Sequence, residues 1–257
     1  MRRNIMRQLT TDEAIKRWDL NAEAFTASYN EHGDIYRKVL LNPSIFSLIE
    51  TIDGTTILDA GCGEGYLSRL LAERGANVTA VDYSTKMLEL AKTKTTAESG
   101  ISYHYGNCEN LVFLSTKTFD MIISNMVIQD LADYDAALSE MYRLLKDNGY
   151  FIFSILHPCF ITPESGWIRN SEGKKQYWKA DHYFHEGMYE QNMLSEAEEK
   201  IVYYHRTLTS YMKAITKAGF TLEALVEPKP SKEMLDKYPQ FEEDLKIANF
   251  IVFKVRK

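Results

Sequence analysis

The chain has 257 residues, 45% of them hydrophobic and 26% charged, with a formal net charge of -6. That is enough apolar chain for one large α/β core. An acidic balance without a Lys/Arg-rich run argues against a nucleic-acid partner. The lack of any run of about 18 apolar residues argues against a membrane span.

Residues 11–50 read as helical, with Ile15, Trp18, Ala22, Phe25 and Tyr29 at helix-like spacing. From Thr55 apolar runs and amphipathic stretches alternate. Strands are expected at 55–60, 77–82, 101–106, 119–124 and 149–156, and helices at 65–74, 84–97 and 133–146. Ser84 suits a helix N-cap, and Gly149 the end of the third helix. Such alternation predicts a doubly wound parallel sheet with helices on both faces. After Pro158 the rhythm breaks. Residues 157–206 are rich in aromatics, His and charge, and are expected to form an irregular cap. A helix at 208–218, a strand at 220–226, a short helix around 231–237 and a final strand at 247–255 follow. The expected organisation is therefore an amino-terminal segment, 1–50, a core of 51–156 with 207–257, and an inserted cap, 157–206.

The densest signal is Ile57-Leu58-Asp59-Ala60-Gly61-Cys62-Gly63-Glu64-Gly65-Tyr66, with Asp82 at the end of the next apolar run. A strand runs into a glycine-rich turn, a helix opens, and an acid waits at the tip of the second strand. That is the layout of a nucleoside-cofactor site at the carboxyl edge of a parallel sheet. Dinucleotide enzymes use G-x-G-x-x-G. Here the third glycine comes one residue early, at Gly65, and Asp59 precedes the first. Both features resemble motif I of the class I S-adenosylmethionine (SAM)-dependent methyltransferases.

The resemblance covers most of 30–156 and, more loosely, 207–255. It implies a Rossmann-like sheet of seven strands with the last antiparallel, SAM as cofactor, and an amino-terminal helical segment over it. In this reading Gly61, Cys62, Gly63 and Gly65 let backbone approach the methionine end of SAM, and Asp59 faces its ammonium. Asp82 accepts from the ribose hydroxyls, and Tyr83 and Met87 pack on adenine. Asn107, Cys108 and Glu109 follow the third strand, where the family places its adenine-edge contacts; Asn107 stands where an acid is usual. Ser124, Asn125 and Met126 end the fourth strand, toward the sulfonium. Tyr29, Tyr36 and Arg37 are the contacts expected from the amino-terminal segment.

His157 and His205 are the catalytic candidates, as general bases, against the alternative of satisfied structural histidines. His182 and His185 with Glu186 have near-helical ligand spacing but no third ligand in the sequence, so no metal is expected. Cys62, Cys108 and Cys159 are scattered and odd in number, which gives no disulfide framework and fits a reducing, cytoplasmic compartment. Met1-Arg2-Arg3 is basic without an apolar stretch behind it, unlike a secretory signal. The aromatic insertion suits a small-molecule acceptor, with Trp167, Trp178, Tyr183, His157 and His205 expected to line its pocket. Two rival functions stay open on the sequence: a non-catalytic SAM-binding regulator and an NAD(P)-dependent oxidoreductase.

Overall fold

A computed structural model describes residues 9–191 and 199–257. Met1-Arg2-Arg3 and residues 192–198 of the expected cap lie outside the described residues.

Five strands run parallel: β1 (Thr56–Ala60), β2 (Asn77–Asp82), β3 (Ser102–Tyr105), β4 (Phe119–Asn125) and β5 (Leu145–Leu156). With β10 (Thr221–Val226) and β11 (Phe250–Arg256) they make one sheet in the order β10-β11-β5-β4-β1-β2-β3. Strand β11 is antiparallel to both neighbours. This is the seven-stranded, mostly parallel arrangement that the resemblance implied. The order reverses between β1 and β4, so a crevice opens beyond their carboxyl ends.

The helices form where apolar periodicity and caps coincide. Helix α3 (Tyr66–Ala72) follows the glycine turn, and Ser84 caps α4 (Thr85–Thr93) by accepting from the Met87 N–H. Asp133 caps α5 (Tyr134–Leu144), and Thr207 caps α6 (Leu208–Lys217). One face of the sheet packs Phe151, Phe153 and Phe253 with α5 and α6. The other packs Ile57, Val78, Met121 and Ile152 against α3 and the amino-terminal segment. Both layers are closed, which is what a central strand buried along nearly its whole length, such as β4, requires.

Three expectations need correction. The third helix stops at Leu144, and β5 begins at once; Asn148, not Gly149, takes the left-handed turn, at φ 64°. The helical reading of 11–50 divides into α1 (Thr11–Thr26), a π-helical turn (Arg37–Leu41) and α2 (Asn42–Ser47). Finally, the cap is regular. It holds two antiparallel hairpins, β6 (Gly166–Arg169) with β7 (Lys175–Lys179), and β8 (Gly187–Gln191) with β9 (Ile201–His205). All five residues of β9 are buried. Aromatic side chains supply β-propensity on both faces of these strands, which hides the period-2 alternation that marks a half-buried strand. Helix α7 (Lys232–Lys237) completes the fold.

Candidate active site

The glycine turn is held from β2. The N–H groups of Gly61 and Cys62 both donate to the Val81 carbonyl, at 2.8 and 2.9 Å. Gly61 sits at φ 82°, and a Cβ there would stand 2.4 Å from Val127, so the close approach of the β4 tip requires glycine. Gly63, at φ 54°, would meet nothing within 4 Å, because its open side faces the crevice. Asp82 ties turn and helix together: Oδ2 accepts from Gly63 N–H at 2.7 Å and Oδ1 from Ser84 N–H at 2.8 Å. It is therefore both the acid of the crevice and the brace of its floor. Asp59, at the end of β1, accepts from the Ser68 hydroxyl at 2.6 Å. Burial pushes the Asp59 carboxyl up to about 7 and the Asp82 carboxyl up to about 6. Two carboxylates taken out of water this way are primed to pair with an incoming cation or donors.

The β4 tip is fixed by a buried polar chain. The Tyr66 hydroxyl donates to Asn42 Oδ1 at 3.1 Å and accepts from Asn125 Nδ2 at 2.6 Å. Asn125 Oδ1 accepts from the Ser154 hydroxyl at 2.6 Å. Met126, just beyond, is left-handed at φ 66°, and its N–H bonds both the carbonyl and the hydroxyl of Ser154. A non-glycine residue in that conformation is held there by its surroundings.

The amino-terminal segment roofs the crevice. Ile15, Trp18, Phe25 and Thr26 of α1 line it, with Tyr29 and Arg37 beyond. Trp18, Phe25 and Tyr29 form an aromatic chain, and the Arg37 guanidinium lies 5.1 Å from the centre of the Tyr29 ring. Arg37 is paired with Asp34, which also accepts from the Arg37 N–H at 2.8 Å. Helix α1 is tied to the core through Ser84 with Asp19, Tyr83 with Asp12 and Thr11 with Glu109. On its other side it is tied to the β8–β9 hairpin, where Arg17 pairs with Glu190 at 2.8 Å.

Ten of the expected cofactor residues line this one crevice: Tyr29, Arg37, Asp59, Gly61, Cys62, Gly63, Asp82, Met87, Asn125 and Met126. Seven do not. Tyr36 packs edge-on against Phe241 and Phe250. Gly65 is the left-handed N-cap of α3, packed against Tyr103. Tyr83 points to Asp12 and Tyr105. Ser124 is fully buried and donates to the Ala60 carbonyl. Cys108 belongs to the core. The Asn107 amide oxygen accepts from the Glu109 N–H at 2.9 Å, and Glu109 accepts from Thr11 and from the Asp133 N–H. The 107–109 turn thus anchors α1, and its polar atoms are occupied in doing so.

A second cavity, of about 520 Å³, opens beside the crevice. It is bounded by Tyr36 and Leu41, by Gln129 and Leu156, and by the cap residues Ile161, Trp178, Ile201 and Tyr203. Trp18, Phe25, Arg37, Met126 and Asp130 line both spaces.

The histidines lie elsewhere. His157 is buried; its Nδ1 accepts from the Cys159 N–H, and its Nε2 meets Glu227 at 2.9 Å. Burial holds it below the ordinary histidine value. His205 Nε2 donates to the Tyr183 carbonyl at 2.8 Å. Neither lines the crevice or the second cavity. Of the expected cap residues only Trp178 lines that cavity; Trp167 stacks edge-on against Trp178, and Tyr183 faces a separate hollow beside α6. His182 approaches Glu164 and Asp181, each at 3.5 Å, rather than Glu186. Glu186 instead accepts from Thr207 at the start of α6.

Residues that the sequence reading missed are Trp18 and Phe25, seen there only as a helix face, and Val127 and Leu131. A helical stripe reports that a face is covered and not what covers it.

Residues 58–153 match the methyltransferase domain family. An uncharacterised protein of Haemophilus influenzae is 31% identical over 216 residues, 81% of this chain and 82% of that one. The crystal structure of an S-adenosylmethionine-dependent methyltransferase from Mesorhizobium loti superposes with a TM-score of 0.75 at 28% identity, covering 84% of this chain and 96% of that one. The chain belongs to the class I SAM-dependent methyltransferases. The methyltransferase uses SAM, and the dinucleotide alternative falls away. A malonyl-[acyl-carrier protein] O-methyltransferase of Erwinia billingiae is 37% identical over 138 residues, and the match spans about half of each protein, 52% of this chain and 53% of that one. The residues of this methyltransferase's crevice fit the cofactor: two buried carboxylates for an ammonium and a diol, an open-sided glycine turn for close backbone approach, and aromatic faces above. No helix among the described residues is long and apolar enough to cross a membrane.

Proposed function

We propose that the chain methylates a small acceptor held in the cavity of about 520 Å³ beside the cofactor crevice. One observation carries this reading: five residues line both spaces, so an acceptor in one abuts a cofactor in the other. The size is that of a small-molecule site. SAM, when bound, supplies an electrophilic methyl group on a sulfonium that is already a good leaving group. The residues then have three tasks. Asp59, Asp82 and the Gly61–Gly63 turn bind and orient the cofactor. Met126 and Asn125, fixed by Ser154 and Tyr66, set the floor where the two spaces meet. Trp18, Phe25, Trp178 and Tyr203 exclude water and hold the acceptor in line. Displacement in a closed site needs positioning more than acid–base machinery, which agrees with the outlying places of His157 and His205. The described residues of the segments 1–50 and 157–206 act here as two halves of one acceptor wall on the core of 51–156 and 207–257.

The Erwinia relative's name specifies a malonyl group on an acyl-carrier protein, an acidic acceptor. The reading for this chain is different in one respect: Arg37, the cation of the cavity, is already paired with Asp34. The test is production of S-adenosylhomocysteine from SAM with a panel of small amines, alcohols, thiols and acids. Turnover with a small acceptor that is abolished by Met126→Trp, which fills the junction, supports the reading. Turnover confined to a carrier-protein substrate overturns it.

A further inference from the structure

The Ile128–Asp130 turn brings a carboxylate to the wall shared by crevice and cavity. We propose that Asp130 receives the reacting group of the acceptor, and that this group is a protonatable nitrogen on an aromatic or apolar frame. The proposal rests on the reading of the cavity as the acceptor site, and goes further by naming the acceptor class and the residue that selects it.

The charges facing the cavity single out Asp130. Its other carboxylates are matched: Asp34 by Arg37, and Glu190 by Arg17 at 2.8 Å. Asp130 is 8% exposed and, among the described residues, has a side-chain hydrogen bond with Gln129 but no ion pair. Arg206 and Arg37 attract it from further away. Arg206 is not free to close on it. Its guanidinium donates to the carbonyls of Ile128, Leu131 and Ala132 and lies 4.0 Å from the centre of the Tyr134 ring. It grips the backbone of the turn that carries Asp130, so the carboxylate is held in place by a cation that does not neutralise it by contact. A buried carboxylate without an ion pair, beside Trp18, Tyr36, Trp178 and Tyr203, is the environment that attracts an organic cation, through the charge and the ring faces together. A carboxylate acceptor would find the opposite: its like charge at Asp130, and Arg37 already engaged.

The same residue serves the chemistry. An ammonium has no lone pair and must lose a proton before it reacts. One N–H bond breaks, an O–H bond forms on Asp130, and the nitrogen keeps the electron pair. That pair forms the new bond to the methyl carbon as the carbon–sulfur bond breaks with its electrons remaining on sulfur. Burial raises the Asp130 carboxyl well above the ordinary carboxylate range, which makes it a stronger base than an exposed carboxylate.

The test uses three probes on one indole frame: tryptamine, tryptophol and indole-3-acetate. Each is titrated calorimetrically into the protein saturated with S-adenosylhomocysteine. Tryptamine is expected to bind at least about tenfold more tightly than indole-3-acetate, the scale of a charge-assisted hydrogen bond. Asp130→Asn should erase that preference and Asp130→Glu retain it. If Asp130→Asn does not fold, as judged by circular dichroism, the wild-type ranking and Asp130→Glu still decide. A ranking that favours indole-3-acetate, no binding of tryptamine at millimolar concentration, or a preference that survives in Asp130→Asn overturns the proposal. Trp178→Ala separates the two levels. It should weaken all three probes. Unchanged affinities of all three, with S-adenosylhomocysteine still bound, would place the probes outside the cavity and overturn the acceptor-site reading itself.

Discussion

Asp82 is the residue on which cofactor recognition and turn geometry meet. Its two oxygens already accept from Gly63 and Ser84, and the side chain lines the crevice. Removing it costs the ligand contact and loosens the turn that supports the ligand. Asp82→Ala is expected to weaken S-adenosylhomocysteine binding by about 1.5–3 kcal/mol, the range for a hydrogen bond to a charged group; calorimetry measures it, and unchanged affinity would return Asp82 to bracing alone. Asp59 gives a pH signature instead. Its folded-state carboxyl, at about 7, lies above the unfolded value, so the folded chain holds the extra proton. The stability this contributes is complete below the ordinary carboxylate value of about 4 and is lost as pH rises through 7. Asp59→Asn should therefore gain stability relative to wild type between pH 5 and pH 8 in urea titrations. A cation beside Asp59 favours its charged form, so wild-type affinity for S-adenosylhomocysteine should rise over the same interval and that of Asp59→Asn should stay flat. These two acids were legible in the sequence because each ends an apolar run, Asp59 before the glycine turn and Asp82 before the Ser84 cap. Asp130 reads in the sequence equally as a substrate contact or as a cap of the helix from about 133, a place that Asp133 takes. Nothing around it in sequence shows that Arg206, far along the chain, lies behind its turn.

At the scale of elements, the strands and helices of the core could be read because each buries one stripe or one run, and periodicity records that directly. The cap could not. Trp167, Trp178, Tyr189 and Tyr203 are aromatic on alternate and adjacent positions alike, and hairpin pairing leaves little trace when both faces are half covered. Nor does an amphipathic α1 disclose that its apolar face roofs a crevice. The contacts differ between them: α1 and the 29–37 stretch line both spaces, and the cap lines only the second cavity, the proposed acceptor site. Hydrogen exchange should follow that difference. S-adenosylhomocysteine alone is expected to raise protection in Thr11–Thr26 more than in β6–β7, and protection around Trp178 and Ile201–His205 should respond to the acceptor. Equal protection of both regions by S-adenosylhomocysteine alone would make the cap a cofactor lid instead.

At the scale of the molecule, the crevice takes its walls from α1, β1, β2, β4 and the turns that follow them, so one ligand touches both layers that the sheet separates. A ligand placed there cannot stabilise one element without the rest. The two faces share every central strand, and unfolding either exposes the other. With a dissociation constant of about 10 μM, 1 mM S-adenosylhomocysteine adds about 2.7 kcal/mol to the folded state by mass action. For a domain of this size that corresponds to an upward shift in Tm of about 5–10 °C. The shift should appear as one transition moving intact, with calorimetric and van't Hoff enthalpies still in agreement. Arg17 and Asn21 of α1 reach the β8–β9 hairpin and the carbonyls of Glu199 and Lys200. The cap is thereby joined to the roof of the crevice, and its unfolding should move with the core. A melt in which the ligand shifts an upper transition and leaves a lower one in place would show that the cap unfolds separately and that α1 does not couple the two.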